Sequence, residues 1–385
     1  MSEKLKIGNI CNITTGKLDS NQAVIGGEYP FFTCAPEPLT IDSYAHDDSV
    51  ILIAGNNASG NFHVNRFNGK FNAYQRTYIL TAKPNFDLDY IFYCLKLELK
   101  CLKEKAQGSQ TKFLTMPILN NIGIVKHNLL SQQKIAAVLS ALDSKIEVNN
   151  RINSELEAMA KTLYDYWFVQ FDFPNEDGKP YKTSGGKMVW NDELKRDIPA
   201  GWEVGSLSDI ANITMGQSPL GESYNEDSNG VIFFQGCTDF GNRFPTIRKF
   251  TTQPTRFAKK GDILLSVRAP VGTINIAKED CCIGRGLAAL NSKDNCIAYL
   301  FGVMVNLKQI FDRRNTDGTT FGSITKDDLF SLTIIKPDKE ILNQYNKVIN
   351  PSFEKQDSIE LENQTLANLR DWLLPMLMNG QVTVN

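Results

Sequence analysis

The feature of this sequence that most constrains its fold is an internal repeat, in which a globular block is followed by a long helical stretch, twice. The clearest match lies at the end of each block, where residues 108–126 recur as residues 318–336. Near the start of each block, residues 10–16 recur as residues 210–216. Because the matches keep one order along the chain, they predict a duplicated structural unit.

Apolar residues spaced alternately three and four apart mark one face of two stretches, residues 131–168 and 359–376. The predicted seam positions are Ile135, Leu139, Leu142, Ile146, Asn149, Ile152 and Leu156, then Ile359, Leu366, Leu369 and Leu373. Taken alone, either stretch is typical of an ordinary core helix, but the repeat favours two long helices that pack together. Since a globular block separates them, we expect antiparallel packing, with Asn149 setting the register.

Strand-forming runs bounded by Gly, Asn and Pro predict an α+β fold. We expect two similar globular domains joined by two long antiparallel coiled-coil helices, with a pseudo-twofold internal repeat. The predicted boundaries are 1–128 for the first domain, 129–171 for the first helix, 172–200 for a linker, 201–337 for the second domain, 338–378 for the second helix and 379–385 for a tail. Ser131 is the expected cap of the first helix, and Pro351 is expected to break the second.

Composition narrows the class of protein. The 385 residues include 41 Lys and Arg against 43 Asp and Glu, so any surface for a polyanion must be local. No signal-peptide core and no run of about 18 apolar residues is present, which predicts a cytoplasmic protein that does not enter a membrane. The eight cysteines form no CxxC pair, which predicts reduced structural thiols and no metal site.

Two segments concentrate positive charge. Residues 49–86 contain no Asp or Glu, and residues 243–268 carry seven basic residues against the single acid Asp262. Lys and Arg can neutralise phosphates, while Arg, Asn and Gln can read base edges. The candidate DNA-binding residues are Asn57, Asn61, Arg66, Lys70, Asn72, Gln75, Arg76, Gln235, Arg243, Arg248, Arg256 and Arg268. The alternative interpretation is a solvated, Asn-rich loop surface.

Motifs that could indicate catalysis lack their companions. Residues 350–353, Asn-Pro-Ser-Phe, resemble the target-holding loop of adenine methyltransferases, but no glycine-rich cofactor loop precedes them. The Ser-x-x-Lys sequences at 131–134 and 323–326 stand alone. The Gly-Arg-Gly turn at 284–286 is too short for a phosphate loop. We therefore predict no catalytic residue in this chain.

Several short motifs resemble the DNA-specificity subunit of type I restriction-modification systems. They are Ile-Pro-Ala-Gly-Trp at 198–202, Gly-Gln-Ser-Pro at 216–219, Lys-Gly-Asp-Ile-Leu-Leu-Ser at 260–266, and a tail at 363–380 with Arg370, Leu-Leu-Pro at 373–375 and Gly380. Their order and the duplication extend the resemblance over nearly the whole chain. The first block departs from the pattern by lacking the Pro-Ala-Gly-Trp lead, and Pro351 has no counterpart in the first helix.

The resemblance implies a non-catalytic subunit whose two domains each recognise one half of a bipartite, asymmetric target in double-stranded DNA. It implies helices that set the spacing and dock methylation subunits, with restriction subunits joining the full complex. S-adenosylmethionine would be bound by the methylation subunits and not by this chain. Two other classes stay open: a stand-alone two-module binding or scaffold protein without an enzyme partner, and a self-contained methyltransferase, which the missing cofactor loop disfavours.

Overall fold

The computed structural model describes residues 3–56, 62–105, 113–316 and 323–384, except for the side chains of residues 103–105 and 309–316. Two compact units are present: unit 1 comprises Met1–Val148 and Asn363–Asn385, and unit 2 comprises Asn149–Glu362. Both boundaries between the units fall inside the long helices. Each unit therefore contains one globular domain and one segment of each helix.

Unit 1 is built around a six-stranded sheet. The strands of unit 1 are β1 (Lys4–Lys6), β2 (Cys11–Thr15), β3 (Tyr29–Phe32), β4 (Leu39–Ile41), β5 (His46–Ala54), β6 (Val64–Ala73), β7 (Thr77–Ala82) and β8 (Gly123–Val125). Its helices are α1 (Ile7–Ile10), α2 (Leu88–Lys105), α3 (Met116–Asn121) and the first part of α4 (Leu129–Tyr164). The sheet order is β2-β7-β5-β6-β3-β4, and β1 pairs separately with β8.

Strand β5 forms the centre of unit 1. Its last five residues, Val50 to Ala54, are at most 3% exposed. Successive strand side chains point to opposite faces, so a strand that is buried on both faces is apolar throughout. Ile51 and Ile53 belong to the core that includes α2, whereas Val50 and Leu52 belong to a second cluster on the other face.

Unit 2 distributes its strands over more sheets. Its strands are β9 (Met188–Asn191), β10 (Arg196–Pro199), β11 (Glu203–Ser206), β12 (Ala211–Met215), β13 (Tyr224–Asn225), β14 (Val231–Phe234), β15 (Phe250–Thr251), β16 (Phe257–Ala258), β17 (Ile263–Ser266), β18 (Ile274–Ile276), β19 (Cys281–Ile283), β20 (Leu287–Ser292) and β21 (Thr333–Lys336). Its helices after α4 are α5 (Leu207–Ile210), α6 (Ile297–Thr316), α7 (Lys326–Phe330) and α8 (Lys339–Met378), which ends in unit 1. The two larger sheets have the orders β12-β20-β17-β18 and β13-β15-β14-β19-β16.

The backbone connections of unit 1 recur in unit 2. Strand β2 pairs antiparallel with β7 as β12 pairs with β20, and β1 pairs with β8 as β11 pairs with β21. The side chains repeat too: the Tyr90 hydroxyl donates to the carbonyl of Val125 at 2.8 Å, and that of Tyr299 donates to Ile335 at 2.5 Å. The predicted fold of two similar α+β domains is therefore confirmed.

In each unit the segments of α4 and α8 run antiparallel. In unit 2, the Asn149 amide donates to Glu362 at 2.8 Å, whereas the Tyr345 hydroxyl donates to the carbonyl of Ala160 at 3.4 Å. Residue numbers thus rise along α4 as they fall along α8. In unit 1, a guanidinium nitrogen of α8 donates to Asp143 of α4 at 2.7 Å. The predicted antiparallel packing is confirmed.

Most predicted seam positions lie on the packed face. Ile135, Leu139, Asn149 and Ile359 are buried, and Leu142, Ile146, Ile152, Leu156, Leu366 and Leu373 are partly buried. Leu369 is 41% exposed, so the prediction was wrong at that position. A strict seven-residue repeat drifts around a helix with 3.6 residues per turn. Near the end of α8, the residues on the buried face are therefore Leu374 and Leu377, which belong to the core of unit 1.

Two predicted helix signals were wrong. Helix α8 continues from Lys339 to Met378 through Pro351, which therefore does not break it. Pro351 is exposed, so water can satisfy the backbone carbonyl that its missing N–H leaves free. Ile349 and Ser352, on either side of it, are buried. Helix α4 begins before Ser131, whose amide donates to the side chain of Asn128 at 2.8 Å. Asn128 is therefore the cap.

Residues 172–200, predicted to be a linker, form turns and the β9–β10 hairpin and belong to unit 2. Three aromatic rings hold this segment to the domain. Phe173 stacks on Tyr181 with ring centroids 4.6 Å apart and on Trp202 with centroids 4.9 Å apart. The polar composition concealed these few large apolar contacts.

The cysteines are free in the structure. Burial raises the pKa of Cys11, Cys94 and Cys281 to about 12, which keeps these thiols protonated and unreactive. Within the described residues, no group of three His, Cys, Asp or Glu side chains could hold a metal ion. None of the helices there has the length and apolarity needed to cross a membrane.

Candidate nucleic-acid interface

Several chain segments at strand ends meet at one corner of unit 2, which we call the unit 2 corner. It consists of residues 216–219, 235–236, 255–256, 267–268 and 284–286. Gly286 lies between two of these segments, because its amide donates to the carbonyl of Gln235 at 3.2 Å and its carbonyl accepts from the amide of Val267 at 3.0 Å. Arg256 joins through its carbonyl, which accepts from the amide of Ile283 at 2.9 Å.

The exposed side chains of the unit 2 corner carry positive charge and an amide. Gln235, Arg256, Arg268 and Arg285 are exposed, and the five segments contain no acidic residue. Among the residues that the structure describes, none forms an ion pair with these three guanidinium groups. Three uncompensated guanidinium groups beside an amide suit a polyanion with hydrogen-bonding edges, as in duplex DNA.

Unit 1 has an equivalent corner, the unit 1 corner, made of residues 16–19, 33–34, 55–56 and 74–76. The Tyr74 amide donates to the carbonyl of Phe32 at 2.9 Å, as the Gly284 amide donates to Phe234 at 2.8 Å. Gln75 and Arg76 are exposed here. The Gln75 amide donates to Asp19 at 2.6 Å, so this corner includes an acidic residue.

One glycine in each unit allows the corner to close. A Cβ atom on Gly16 would lie 2.1 Å from the carbonyl oxygen of Ala73, and one on Gly216 would lie 2.1 Å from that of Gly284. Any side chain at either position would push the two strands apart. The glycine at the end of the repeated Ile-x-Asn-Ile-Thr-x-Gly sequence is therefore required by backbone packing.

The structure brings five of the sequence-predicted residues to the two corners. They are Gln75 and Arg76 in unit 1 and Gln235, Arg256 and Arg268 in unit 2. Lys70 is exposed elsewhere in unit 1, with its ammonium 4.6 Å from the ring centroid of Tyr44. Asn57 and Asn61 lie outside the described residues.

Two predicted arginines are engaged inside the fold. Arg66 donates to Asp89 at 2.7 Å and to the carbonyl of Phe67 at 2.8 Å, and only 24% of its side chain is exposed. Arg243 is 7% exposed and donates to Asp357 and Gln356 of α8. Their guanidinium donors are occupied by unit-internal acceptors, so the structure gives both residues a structural role and does not support DNA contact.

Two further candidates also have partners in the fold. Asn72 is 5% exposed, donates to the carbonyl of Ser43 at 3.3 Å and accepts from the amide of Ala73 at 3.0 Å. A side chain so buried has no edge for a base, so the predicted DNA contact of Asn72 is wrong. Arg248 keeps 54% of its side chain exposed but pairs with Asp239, which neutralises its charge.

Sequence reasoning missed Arg285. The Gly-Arg-Gly sequence is too short for a phosphate loop, but its glycines allow close packing. A Cβ atom on Gly286 would lie 2.7 Å from the carbonyl oxygen of Gln235, and one on Gly284 would lie 2.9 Å from the Cα of the same residue. A long cation between two glycines at the end of a buried strand was the available signal.

Comparison with known proteins identifies the family. The model of the type I restriction modification DNA specificity domain matches the chain twice, over residues 2–158 and 199–370. The chain is 30% identical over 320 residues to a putative type I restriction enzyme MjaX specificity subunit of Methanocaldococcus jannaschii, covering 80% of this chain and 71% of that protein. It is 25% identical to the type I restriction enzyme EcoDI specificity subunit of Escherichia coli, covering 98% of this chain and 88% of the other.

The fold is shared with a solved structure. The crystal structure of a type I restriction-modification system S subunit from M. genitalium superposes with a TM-score of 0.62 at 17% identity, covering 98% of this chain and 96% of that one. Both copies of the matched domain contain one of the corners described above. The chain belongs to the family of type I restriction-modification DNA specificity subunits.

Proposed function

We propose that each globular domain of this chain reads one half of a bipartite, asymmetric target in double-stranded DNA on behalf of a type I restriction-modification complex. The observation that carries the proposal is that the same backbone corner occurs in both units and presents exposed amide and guanidinium groups in each. Guanidinium groups read guanine and amides read adenine through paired hydrogen bonds in the major groove. Two such corners on one chain suit two separated half-sites.

We further propose that α4 and α8 set the half-site spacing and dock the methylation subunits. Trp372 of α8 is 56% exposed and Leu369 is 41% exposed, and exposed aromatic and aliphatic side chains on one helix are typical of a protein interface. By contrast, Tyr164, Trp167 and Phe168 at the end of the α4 region are buried in the core of unit 2. These three close the domain, whereas Trp372 is the residue suited to docking.

In this proposal the chain itself is not catalytic and acts in the cytoplasm. The methylation subunits bind S-adenosylmethionine and transfer the methyl group, and restriction subunits join the full complex. The support is the family membership, together with a structural role for part of one motif that could suggest catalysis. Thr325 of one Ser-x-x-Lys sequence, for example, caps α7 by accepting from the amide of Asp328 at 3.2 Å.

Co-expression with the methylation subunit encoded beside this chain tests the proposal. Sequencing of host DNA for N6-methyladenine should reveal a bipartite motif that disappears in a strain lacking this chain. Methylation that is unchanged in that strain, or a failure of the two proteins to associate, would instead support a stand-alone binding module.

Single substitutions assign the halves. Arg268→Ala should relax one half of the motif and Arg76→Ala should relax or weaken the other, each at a cost of about 1–3 kcal/mol if the arginine is bidentate to guanine. Lys187→Ala is the control, because it removes one positive charge from an exposed position outside both corners and both long helices. If both corner variants relaxed the same half, the assignment of one half-site to each domain would be wrong.

A further inference from the structure

The side chain of Gln235 is held by a single hydroxyl group at the unit 2 corner. Its Nε2 donates to the hydroxyl oxygen of Ser218 at 2.8 Å, and the same hydroxyl donates back to its Oε1 at 3.1 Å. One hydroxyl group therefore meets both atoms of the amide edge. Exchanging the amide oxygen and nitrogen leaves this pairing intact, because a hydroxyl both donates and accepts.

Adenine offers the same combination of one acceptor and one donor. In the major groove its N7 accepts and its N6 amino group donates, whereas guanine presents two acceptors in N7 and O6. The Ser218 hydroxyl thus supplies from one atom the donor and the acceptor that an adenine edge would supply from two. The side chain is exposed, so a base can reach it once the serine moves aside.

The surrounding backbone fixes where this amide lies. The amides of Gly284 and Gly286 donate to the carbonyls of Phe234 and Gln235 at 2.8 and 3.2 Å. A Cβ atom on Gly284 would lie 2.7 Å from Gln235 Oε1, so glycine leaves the space that the amide occupies. The backbone amide of Arg285 donates to the same Ser218 hydroxyl at 3.3 Å, so this backbone also helps to hold the serine in place.

We propose that Gln235 reads an adenine of the target, with Ser218 as its partner in the free protein and the base replacing that hydroxyl on binding. This inference rests on the proposed function and specifies one base of one half-site. Gln235 is then a specificity-determining residue, and Ser218 is a placeholder that the base displaces.

Three variants of the chain, each co-expressed with the methylation subunit, test this by sequencing of N6-methyladenine. Gln235→Ala should reduce the preference for adenine at one position of the wild-type motif by about 10- to 100-fold. Gln235→Glu should shift that position towards cytosine, because a carboxylate accepts from the cytosine amino group and cannot donate to N7. Ser218→Ala should keep the wild-type motif. Gln170→Ala, at an exposed glutamine after α4, is the control.

The outcomes separate this inference from the proposed function. Absence of any motif with the wild-type chain would remove the proposed function itself. A wild-type motif that persists in both Gln235 variants would overturn only the role of Gln235. Relaxation of the same position by Ser218→Ala would overturn the placeholder role, because the hydroxyl would then be needed to position the amide.

A variant that abolishes methylation is measured by binding instead. Competition between duplexes that carry the wild-type motif and differ only at the tested base compares their affinities directly, and thermal unfolding reports whether the variant is folded. Equal affinity of folded Gln235→Ala for adenine and the other bases supports the inference, and a retained adenine preference overturns it.

Discussion

Replacing Arg243 with alanine should destabilise unit 2 by about 2–4 kcal/mol while leaving the methylated sequence unchanged. Its sequence context, a basic run, equally predicts a phosphate contact. In the structure, however, only 6% of the Arg243 side chain is exposed. Its guanidinium group donates to Asp357 and Gln356. The substitution therefore distinguishes a structural role from recognition.

The magnitude depends mainly on Gln356. This residue is 1% exposed, and its Oε1 accepts from Arg243 at 3.1 Å. Leaving a buried acceptor without a donor costs about 1–3 kcal/mol. Asp357 matters less, because 45% of its side chain is exposed and water can replace the guanidinium, so the ion pair contributes about 0–1 kcal/mol. Loss of the contact with the Phe353 ring, 5.0 Å away, adds about 0.5–1 kcal/mol.

Thermal unfolding of the intact chain is the assay. For a unit of this size the expected loss lowers the midpoint by on the order of 10 °C. Arg256→Ala is the matched control, since this exposed arginine comes from the same basic run and has no ion-pair partner among the described residues. It should change the midpoint little and weaken DNA binding. A stable Arg243→Ala variant that binds DNA as weakly as Arg256→Ala would refute the structural role.

Three further predictions concern stability and can be checked by thermal unfolding. Tyr90→Phe and Tyr299→Phe should each cost about 1–2 kcal/mol, because each removes the hydroxyl that donates to a strand carbonyl, buried at Val125 and partly buried at Ile335. A loss in one unit only would show that the two units are not energetically equivalent. Gly302→Ala should destabilise, because its Cβ would lie 2.2 Å from the Tyr164 ring, and overpacking of about 1–3 kcal/mol exceeds the helix-propensity gain of about 1 kcal/mol; a raised midpoint would contradict this. Burial raises the pKa of Glu360 above its ordinary value of 4.5. Protonation of this carboxyl group therefore favours the folded state. The resulting stabilisation is present below pH 4.5 and is lost as the pH rises through the raised pKa. Glu360→Gln should therefore stabilise the folded chain at neutral pH and make the midpoint of thermal unfolding less dependent on pH. An unchanged pH dependence would show that Glu360 does not contribute to it.

The framework of the fold was predictable because the repeated residues are those that the backbone requires. Gly16 and Gly216 permit a close strand approach, and Tyr90 and Tyr299 donate to equivalent strand carbonyls. A backbone requirement of this kind keeps the same residue type at equivalent positions of the two units. Pro351 misled the prediction because its local signal was outweighed by the packed residues on either side of it in α8.

The candidate site could be predicted only in part, because the partners of charged side chains are distant in sequence. Arg66 pairs with Asp89, 23 residues away, and Arg243 pairs with Asp357, 114 residues away. Nothing in the local sequence separates these arginines from Arg256 or Arg268, which are exposed. Only the tertiary structure shows which guanidinium groups are already neutralised.

The two corners also explain why one chain would read an asymmetric target. The backbone hydrogen bonds of the two corners place Gln75 of unit 1 at the position that Arg285 has in unit 2. Gln75 follows Tyr74, whose amide donates to β3, and Arg285 follows Gly284, whose amide donates to β14. Two isolated β-bridges, from Asn56 to Phe113 in unit 1 and from Arg268 to Ser323 in unit 2, likewise place Asn56 at the position of Arg268. The framework is thus constant while the side chains that it presents differ. Amides and guanidinium groups favour different bases, so two equivalent corners would recognise two different half-sites.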